Sequence, residues 1–272
     1  MNATFLRQIF EVRKRRVEAQ KRLVDPFELR DQALRVRAGS KPHRLRESLE
    51  RIDRINIIAE IKRASPSKGV INDKIAVTEL ARSYELGGAC AISILTEEDF
   101  FNGSLKDLKA VREAATLPIL RKDFIFDEFQ IYEAAEAGAD AILLIAAMLD
   151  NIVLEKLYCL AEQDLGLDVV VEVHTRKELE IIKEIAQIIG VNNRDLHSFE
   201  TSLDVSRELI GYSPDHALMI TESGLQGRED ISEMRALGFD GFLIGEILMK
   251  SEDPEKSLKD FTRQTLRHGE FL

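Results

Sequence analysis

Ala141-Ile142-Leu143-Leu144-Ile145-Ala146 is an unbroken apolar run with no polar alternation. A strand of that composition must bury both faces, as strands do in a parallel sheet covered by helices. The run spans 140–146 with Asp140, and seven others share its character, at 57–61, 89–95, 118–121, 168–173, 187–191, 217–221 and 241–245. They recur roughly every 26 residues, the period of a strand followed by a helix and two turns. Helical spacing fills the gaps, as in Val77-Leu80-Ala81-Tyr84 and Ile131-Ala134-Ala135, and glycines at Gly87-Gly88, Gly138 and Gly238 stop helices just before the next strand. Eight such units without a break in composition predict an α/β fold, a closed (β/α)₈ barrel. A doubly wound open sheet is the alternative.

Residues 1–50 break this rhythm. Phe5-Leu6, Ile9-Phe10 and Val17 sit at helical spacing, and a second helix is expected after Pro26. The expectation is one domain over 1–272: a helical extension at 1–50, under the barrel or across its mouth, and the barrel at 51–272. A last helix begins at Pro254 with Asp253 as its cap, and no second, fused barrel is expected.

The 272 residues are 44% hydrophobic and carry 38 basic against 48 acidic side chains, a net charge of −10. That balance argues against a nucleic-acid partner, which calls for a basic face, but leaves room for a small anion held by a few lysines. Cys90 and Cys159 suit reduced, packed thiols of a cytoplasmic protein. No apolar run reaches membrane-spanning length and no signal segment opens the chain. The basic stretch Arg13-Lys14-Arg15-Arg16, flanked by Glu11 and Glu18, reads as a solvated helix face. Tryptophan is absent.

Barrel enzymes build their sites at the carboxyl ends of the strands. Here those ends read Glu60-Ile61-Lys62-Arg63-Ala64-Ser65-Pro66-Ser67, Leu95-Thr96-Glu97, Leu120-Arg121-Lys122-Asp123-Phe124, Glu172-Val173-His174, Asn192-Asn193-Arg194-Asp195-Leu196, Thr221-Glu222-Ser223-Gly224 and Leu243-Ile244-Gly245-Glu246. Taken singly each is weak: Lys122 suits a solvated lysine, Glu60 and Glu172 structural ion pairs, Asn192 and Asn193 an Asx turn, Phe101 and Phe124 core. Together, two lysines and three glutamates converge on one mouth, where each keeps the other charged for proton transfer and anion recognition. Ser223-Gly224 and Gly245-Glu246, after the seventh and eighth strands, occupy the usual phosphate position of such barrels. The stretch 65–73, with Pro66 and Gly69, reads as a mobile loop over the site or as plain surface.

The first-strand motif from Glu60 to Ser67 closely resembles the signature of the indole-3-glycerol-phosphate synthase family of tryptophan biosynthesis. The likeness continues through Leu95-Thr96-Glu97, Phe101-Asn102-Gly103-Ser104 and the later strand ends, covering nearly the whole chain. The resemblance implies a lyase on a (β/α)₈ barrel with an amino-terminal helical extension, using neither metal nor organic cofactor. Such an enzyme converts 1-(2-carboxyphenylamino)-1-deoxyribulose 5-phosphate into indole-3-glycerol phosphate, carbon dioxide and water. By the same resemblance Lys122 is the general acid, Lys62 holds the substrate carboxylate and shares the acid's work, and Glu172 acts in dehydration. Glu60, Asn192 and Glu222 orient hydroxyls and lysines, and Phe101 and Phe124 line the ring slot. Ser65, Gly224, Gly245 and the backbone of Glu246 form the phosphate cradle, with the Glu246 carboxylate turned away, and Arg194 and Ser223 bind the substrate or its phosphate. The expected partner is the small substrate alone, without nucleic acid or membrane, in a monomer or weak homo-oligomer. The rival readings are another phosphate-binding barrel isomerase or lyase, and a catalytically inactive barrel.

Overall fold

The computed structural model describes residues 5–73, 75–195 and 198–263, and in it eight parallel strands close into one barrel. They are β1 (Asn56–Ile61), β2 (Ala91–Leu95), β3 (Ile119–Lys122), β4 (Ala141–Ile145), β5 (Asp168–Val173), β6 (Ile188–Asn192), β7 (Leu218–Glu222) and β8 (Gly241–Ile244). Every strand lies within two residues of its expected run. Each pairs with its neighbour in sequence, and β8 returns to β1 with Asn56 opposite Gly241 and Ala59 opposite Ile244. No edge is left open, which excludes the doubly wound sheet.

The helices α1 (Phe5–Gln20), α2 (Pro26–Ala38) and α3 (Arg44–Leu49) precede the barrel. After β1 to β7 come α4 (Val77–Leu86), α5 (Leu105–Ala114), α6 (Glu128–Glu136), α7 (Asn151–Cys159), α8 (Arg176–Ile182), α9 (Asp204–Leu209) and α10 (Arg228–Leu237). After β8 come α11 (Glu246–Lys250) and α12 (Pro254–Thr262). Asp253 caps α12 by accepting from the Lys256 amide, as expected. None of the described helices is long and apolar enough to cross a membrane.

Alternation along the strands sorts side chains into two cores. Ile57, Ile92, Ile142 and Val169 point outward beneath the helices, whereas Ile58, Leu120, Leu143, Val170, Ile188 and Ile220 fill the barrel. Leu45 and Leu49 of α3 complete that inner cluster from the amino-terminal end. Asp168, at the start of β5, fixes α3 there by accepting from the Leu45 and Arg46 amides at 2.8 and 3.0 Å, and Arg44 pairs with Asp140 at the start of β4. Buried Cys90, its thiol pushed up to about 12 by burial, also belongs to the inner cluster.

The amino-terminal segment reaches both ends of the barrel. While α3 closes the bottom, Phe5 of α1 meets Phe100 and Phe199 edge-on at 5.3 and 5.1 Å, on the loops after β2 and β6. The solvated face expected at 13–16 needs correction. Lys14 and Arg15 are exposed, but Arg13 is only 2% exposed and its Nη2 lies 2.6 Å from Asp123 Oδ2. Asp123 also takes the Thr96 hydroxyl and Arg121, so a buried carboxylate is neutralised by two guanidiniums and α1 is locked to the end of β3.

Candidate active site

The site follows from the phase of the strands. Two residues beyond inward Ile58 comes Glu60, and the same step leads from Leu120 to Lys122, Val170 to Glu172 and Ile220 to Glu222. The apolar layers end and the next inward layer is charged. Lys62 Nζ lies 2.5 Å from Glu60 Oε1, while Lys122 Nζ contacts Glu222 Oε2 and lies 3.4 Å from Glu172 Oε2. The structure therefore brings Glu60, Lys62, Lys122, Glu172 and Glu222 into two linked clusters at one mouth. Asn192 completes the ring, its Oδ1 accepting from the Arg194 amide at 3.1 Å in an Asx turn and its side chain facing Glu172.

Charge states follow from burial set against these neighbours. Burial works against the Lys122 ammonium, yet Glu222, Glu172 and Glu60 together hold it protonated well above the usual range. Burial also opposes ionisation of Glu60 and Glu172, but Lys62 and Lys122 bring the first, and Lys122 and His174 the second, below the usual carboxyl range. Glu222 goes the other way. Burial, reinforced by Glu172 and Glu60, pushes it up to about 7 against the pull of Lys122. Its Oε1 has no hydrogen-bond partner among the described residues, so this buried carboxyl can serve an incoming hydroxyl.

Two glycines make the room. A Cβ at Gly190 would run into Glu222 Oε1, and one at Gly245 would lie 2.5 Å from Glu60 Oε1. Another close approach explains the motif Phe101-Asn102-Gly103-Ser104. A Cβ at Gly103 would strike the Leu95 carbonyl, Asn102 takes φ 51°, and Ser104 caps α5 by accepting from the Lys106 amide. Buried Glu97 braces the same turn by accepting from the amides of Asp99, Phe100 and Phe101. Half-buried Phe101 and Phe124 face each other at 6.0 Å and 39°, and Phe124 packs on the inner cluster.

At the end of β7, Ser223 and Gly224 take successive positive φ values of 64° and 81°, which makes a tight turn there. Gly245 precedes α11, and the Glu246 carboxylate pairs with Lys250 at 2.6 Å and reaches Lys68 at 3.8 Å. It is thus drawn toward Lys250 on α11 and Lys68 in the stretch after β1. Arg194 Nη1 bonds the Phe199 carbonyl at 3.0 Å and Ser67 Oγ at 3.3 Å, which ties the β6 loop to the stretch after β1. That stretch is a small hairpin, Ala64–Ser65 against Gly69–Val70, with Ser65 Oγ 3.5 Å from Ser67 Oγ. Its base is anchored by Ala64 to the Phe101 carbonyl and by Ile71 to the Arg63 carbonyl.

Several neighbours of the site were not singled out by sequence. Arg121, next to Lys122, points the opposite way into the buried Asp123 cluster. Asn193, next to Asn192, holds β6 to β7 through Thr221 Oγ1 and the Glu222 and Ser223 carbonyls. His174 packs between Glu172 and Glu178; its signal was its place two residues after Glu172, in the same inward phase. Leu196 of the β6 motif lies outside the described residues.

The chain is similar to known proteins in both sequence and fold. The family described as Indole-3-glycerol phosphate synthase matches residues 6–261. An indole-3-glycerol phosphate synthase of Carboxydothermus hydrogenoformans is 43% identical over 260 residues, covering 94% of this chain and 98% of the relative. One of Bacteroides thetaiotaomicron is 42% identical, covering 95% and 97%. Among solved structures, a 3-hexulose-6-phosphate synthase from Salmonella typhimurium aligns with a TM-score of 0.61 at 15% identity, over 76% of this chain and 96% of that one. A thiamine phosphate pyrophosphorylase from Pyrococcus furiosus aligns at 0.58 and 18% identity, over 80% and 95%. These two likenesses speak to the fold alone. The match along almost the entire sequence, with relatives of nearly equal length, means that the chain belongs to the indole-3-glycerol phosphate synthase family.

Proposed function

We propose that this mouth closes an indole ring. It converts 1-(2-carboxyphenylamino)-1-deoxyribulose 5-phosphate into indole-3-glycerol phosphate with loss of carbon dioxide and water. The observation that carries the reading is the protonated Lys122, held from two strands by Glu222 and Glu172 in a charged layer whose Glu222 and Glu60 side chains fit because residues 190 and 245 are glycine.

Lys122 protonates the ketone oxygen as the aryl carbon attacks, so a carbon–carbon bond forms and the ketone becomes a hydroxyl. Lys62, steadied by Glu60, binds the carboxylate on the ring and supports the acid. Loss of carbon dioxide returns the bond electrons to the ring and restores its aromatic character. Glu172 then handles the proton that accompanies departure of the hydroxyl as water. Asn192 and Glu222 orient the sugar hydroxyls, and Phe101 with Phe124 flanks the ring. Ser65, Arg194, Ser223, Gly224, Gly245 and the Glu246 amide hold the phosphate. Gripping the ring and the phosphate at opposite ends presses the reacting carbons together, so positioning contributes much of the acceleration.

On this reading the protein works as a monomer or weak homo-oligomer in the cytoplasm, as one domain with the 65–73 stretch moving over the bound substrate, and without metal or organic cofactor. The test is direct addition of the substrate while following indole fluorescence, against a low background because the chain has no tryptophan. Turnover is expected, and Lys122→Met should lower kcat by about 10²–10⁴-fold with phosphate-ligand binding retained. Folded wild-type protein that forms no indole refutes the reading.

A further inference from the structure

His174 has no role in the reaction scheme above, yet it is built into the same mouth. It follows Glu172 by two residues on β5, and its side chain is only 10% exposed. Nε2 lies 3.4 Å from Glu172 Oε1 and Nδ1 lies 3.6 Å from Glu178 Oε2. Both ring nitrogens are buried and neither makes a hydrogen bond among the described residues, so the two carboxylates face the ring as ion-pair neighbours. Glu178 is itself fixed. Its Oε2 accepts from the His174 amide at 2.7 Å, and its own amide donates to Thr175 Oγ1, the cap of α8.

The two oxygens of Glu172 are thereby divided. Oε2 faces Lys122 and Oε1 faces His174. A neutral imidazole turns an N–H toward only one of the two flanking carboxylates; the imidazolium turns one toward each and carries a charge opposite to both. A buried carboxylate is stabilised by a cation beside it, which makes the doubly protonated ring the complement to this arrangement.

We propose that His174 is the positioning residue for Glu172: as an imidazolium held by Glu178, it fixes the Glu172 carboxylate and sets the pH at which that group changes charge. The inference rests on the reading of Glu172 as a working group of the site. The charged groups facing the imidazole are Glu172 on its own strand, Glu178 on α8 and Glu222 across the mouth on β7. Those facing Glu172 are Lys122 on β3, Glu222 on β7 and His174, with Asn192 on β6 as a neutral partner. Burial favours the neutral ring, but Glu178 and then Glu172 outweigh it and raise its basicity. The cation in turn keeps Glu172 ionised in a place where burial alone would protonate it. Removing the cation therefore moves the titration of Glu172 to higher pH, whether the reaction uses the acid or the base form.

Two measurements on the full chain test this. The first titrates the His174 ring by NMR in wild type, Glu172→Gln and Glu178→Gln. Because coupling is reciprocal, each substitution should lower the His174 pKa by about one unit or more, and a value unmoved by Glu172→Gln overturns the proposal. This arm needs no turnover, so it stands even if wild-type protein forms no indole, an outcome that defeats the proposed function instead. The second compares pH profiles of kcat for wild type and His174→Gln. The limb due to Glu172 should shift upward by about one unit or more. A superimposable profile from folded His174→Gln overturns the proposal while leaving the function intact. Should His174→Gln fail to fold, the partly exposed Glu178→Gln variant, which weakens the imidazolium rather than removing the ring, takes its place with an upward shift of the same sign.

Discussion

Replacing Gly190 with alanine adds one methyl group at a place that Glu222 already occupies. The new Cβ would overlap Glu222 Oε1 and lie 3.1 Å from Val170 Cγ1. Position 190 is inside regular β6, so the substitution carries no cost in backbone conformation, and the whole penalty is crowding. To regain ordinary contact Glu222 must retreat by about an ångström, taking with it the carboxylate that holds Lys122; a displacement of that size in a catalytic site costs about 10²-fold. Crowding a packed interior costs about 1–3 kcal/mol, which in a chain of this size lowers Tm by a few degrees. Glycine-to-alanine at 190 should therefore reduce kcat/KM about a hundredfold, read by indole fluorescence, with a small calorimetric Tm loss. In a Glu222→Ala background the methyl group falls into vacated space, and its further effect on kcat/KM should shrink to about twofold. Wild-type kcat/KM in Gly190→Ala, or an equal penalty in both backgrounds, refutes the placement of Glu222 against Gly190.

Glu222→Gln should alter how stability depends on pH. Because the folded carboxyl is raised to about 7, its contribution is full below the unfolded carboxyl range and is lost as pH rises through 7. Urea unfolding should show wild-type stability declining more steeply than that of Glu222→Gln across this window, and parallel curves contradict the assignment. Arg13→Met breaks the buried pair with Asp123 and should cost about 3–5 kcal/mol in urea unfolding, where a solvated arginine would cost almost nothing. Glu246→Ser removes a carboxylate beside the proposed phosphate cradle. Since the exposed Lys250 pair is worth at most about 1 kcal/mol, phosphate-ligand affinity should rise a few-fold without loss of Tm, and weaker binding by calorimetry counts against the cradle.

The barrel was legible because burial on both faces leaves a run such as 141–146 little choice of environment, and because the strands recur with an even period. The site was legible only in part. Lys122 and Arg121 are adjacent and both cationic, and what separates them is phase: one continues the inward row from Leu120, the other turns into the Asp123 cluster. Arg13 sat in a charge run that looks solvated, and its partner is 110 residues away, beyond the reach of local pattern. Asp99 and Glu98 likewise receive Arg16 across the fold. The stretch after β1 looked like an open loop because its two-residue strands are too short to show alternation.

Among the described residues, Leu45 and Leu49 plug the amino-terminal end of the barrel, which leaves the carboxyl ends of the strands as the side for exchange. Traffic then becomes a constraint on kinetics: the aromatic reactant, the released gas, the water and the finished glycerol phosphate all pass the same rim, beneath the same hairpin. A barrel open at both ends would let products drain away from incoming reactant. This one makes departure and arrival compete for one doorway, so leaving, rather than bond making, is a natural place for the cycle to slow.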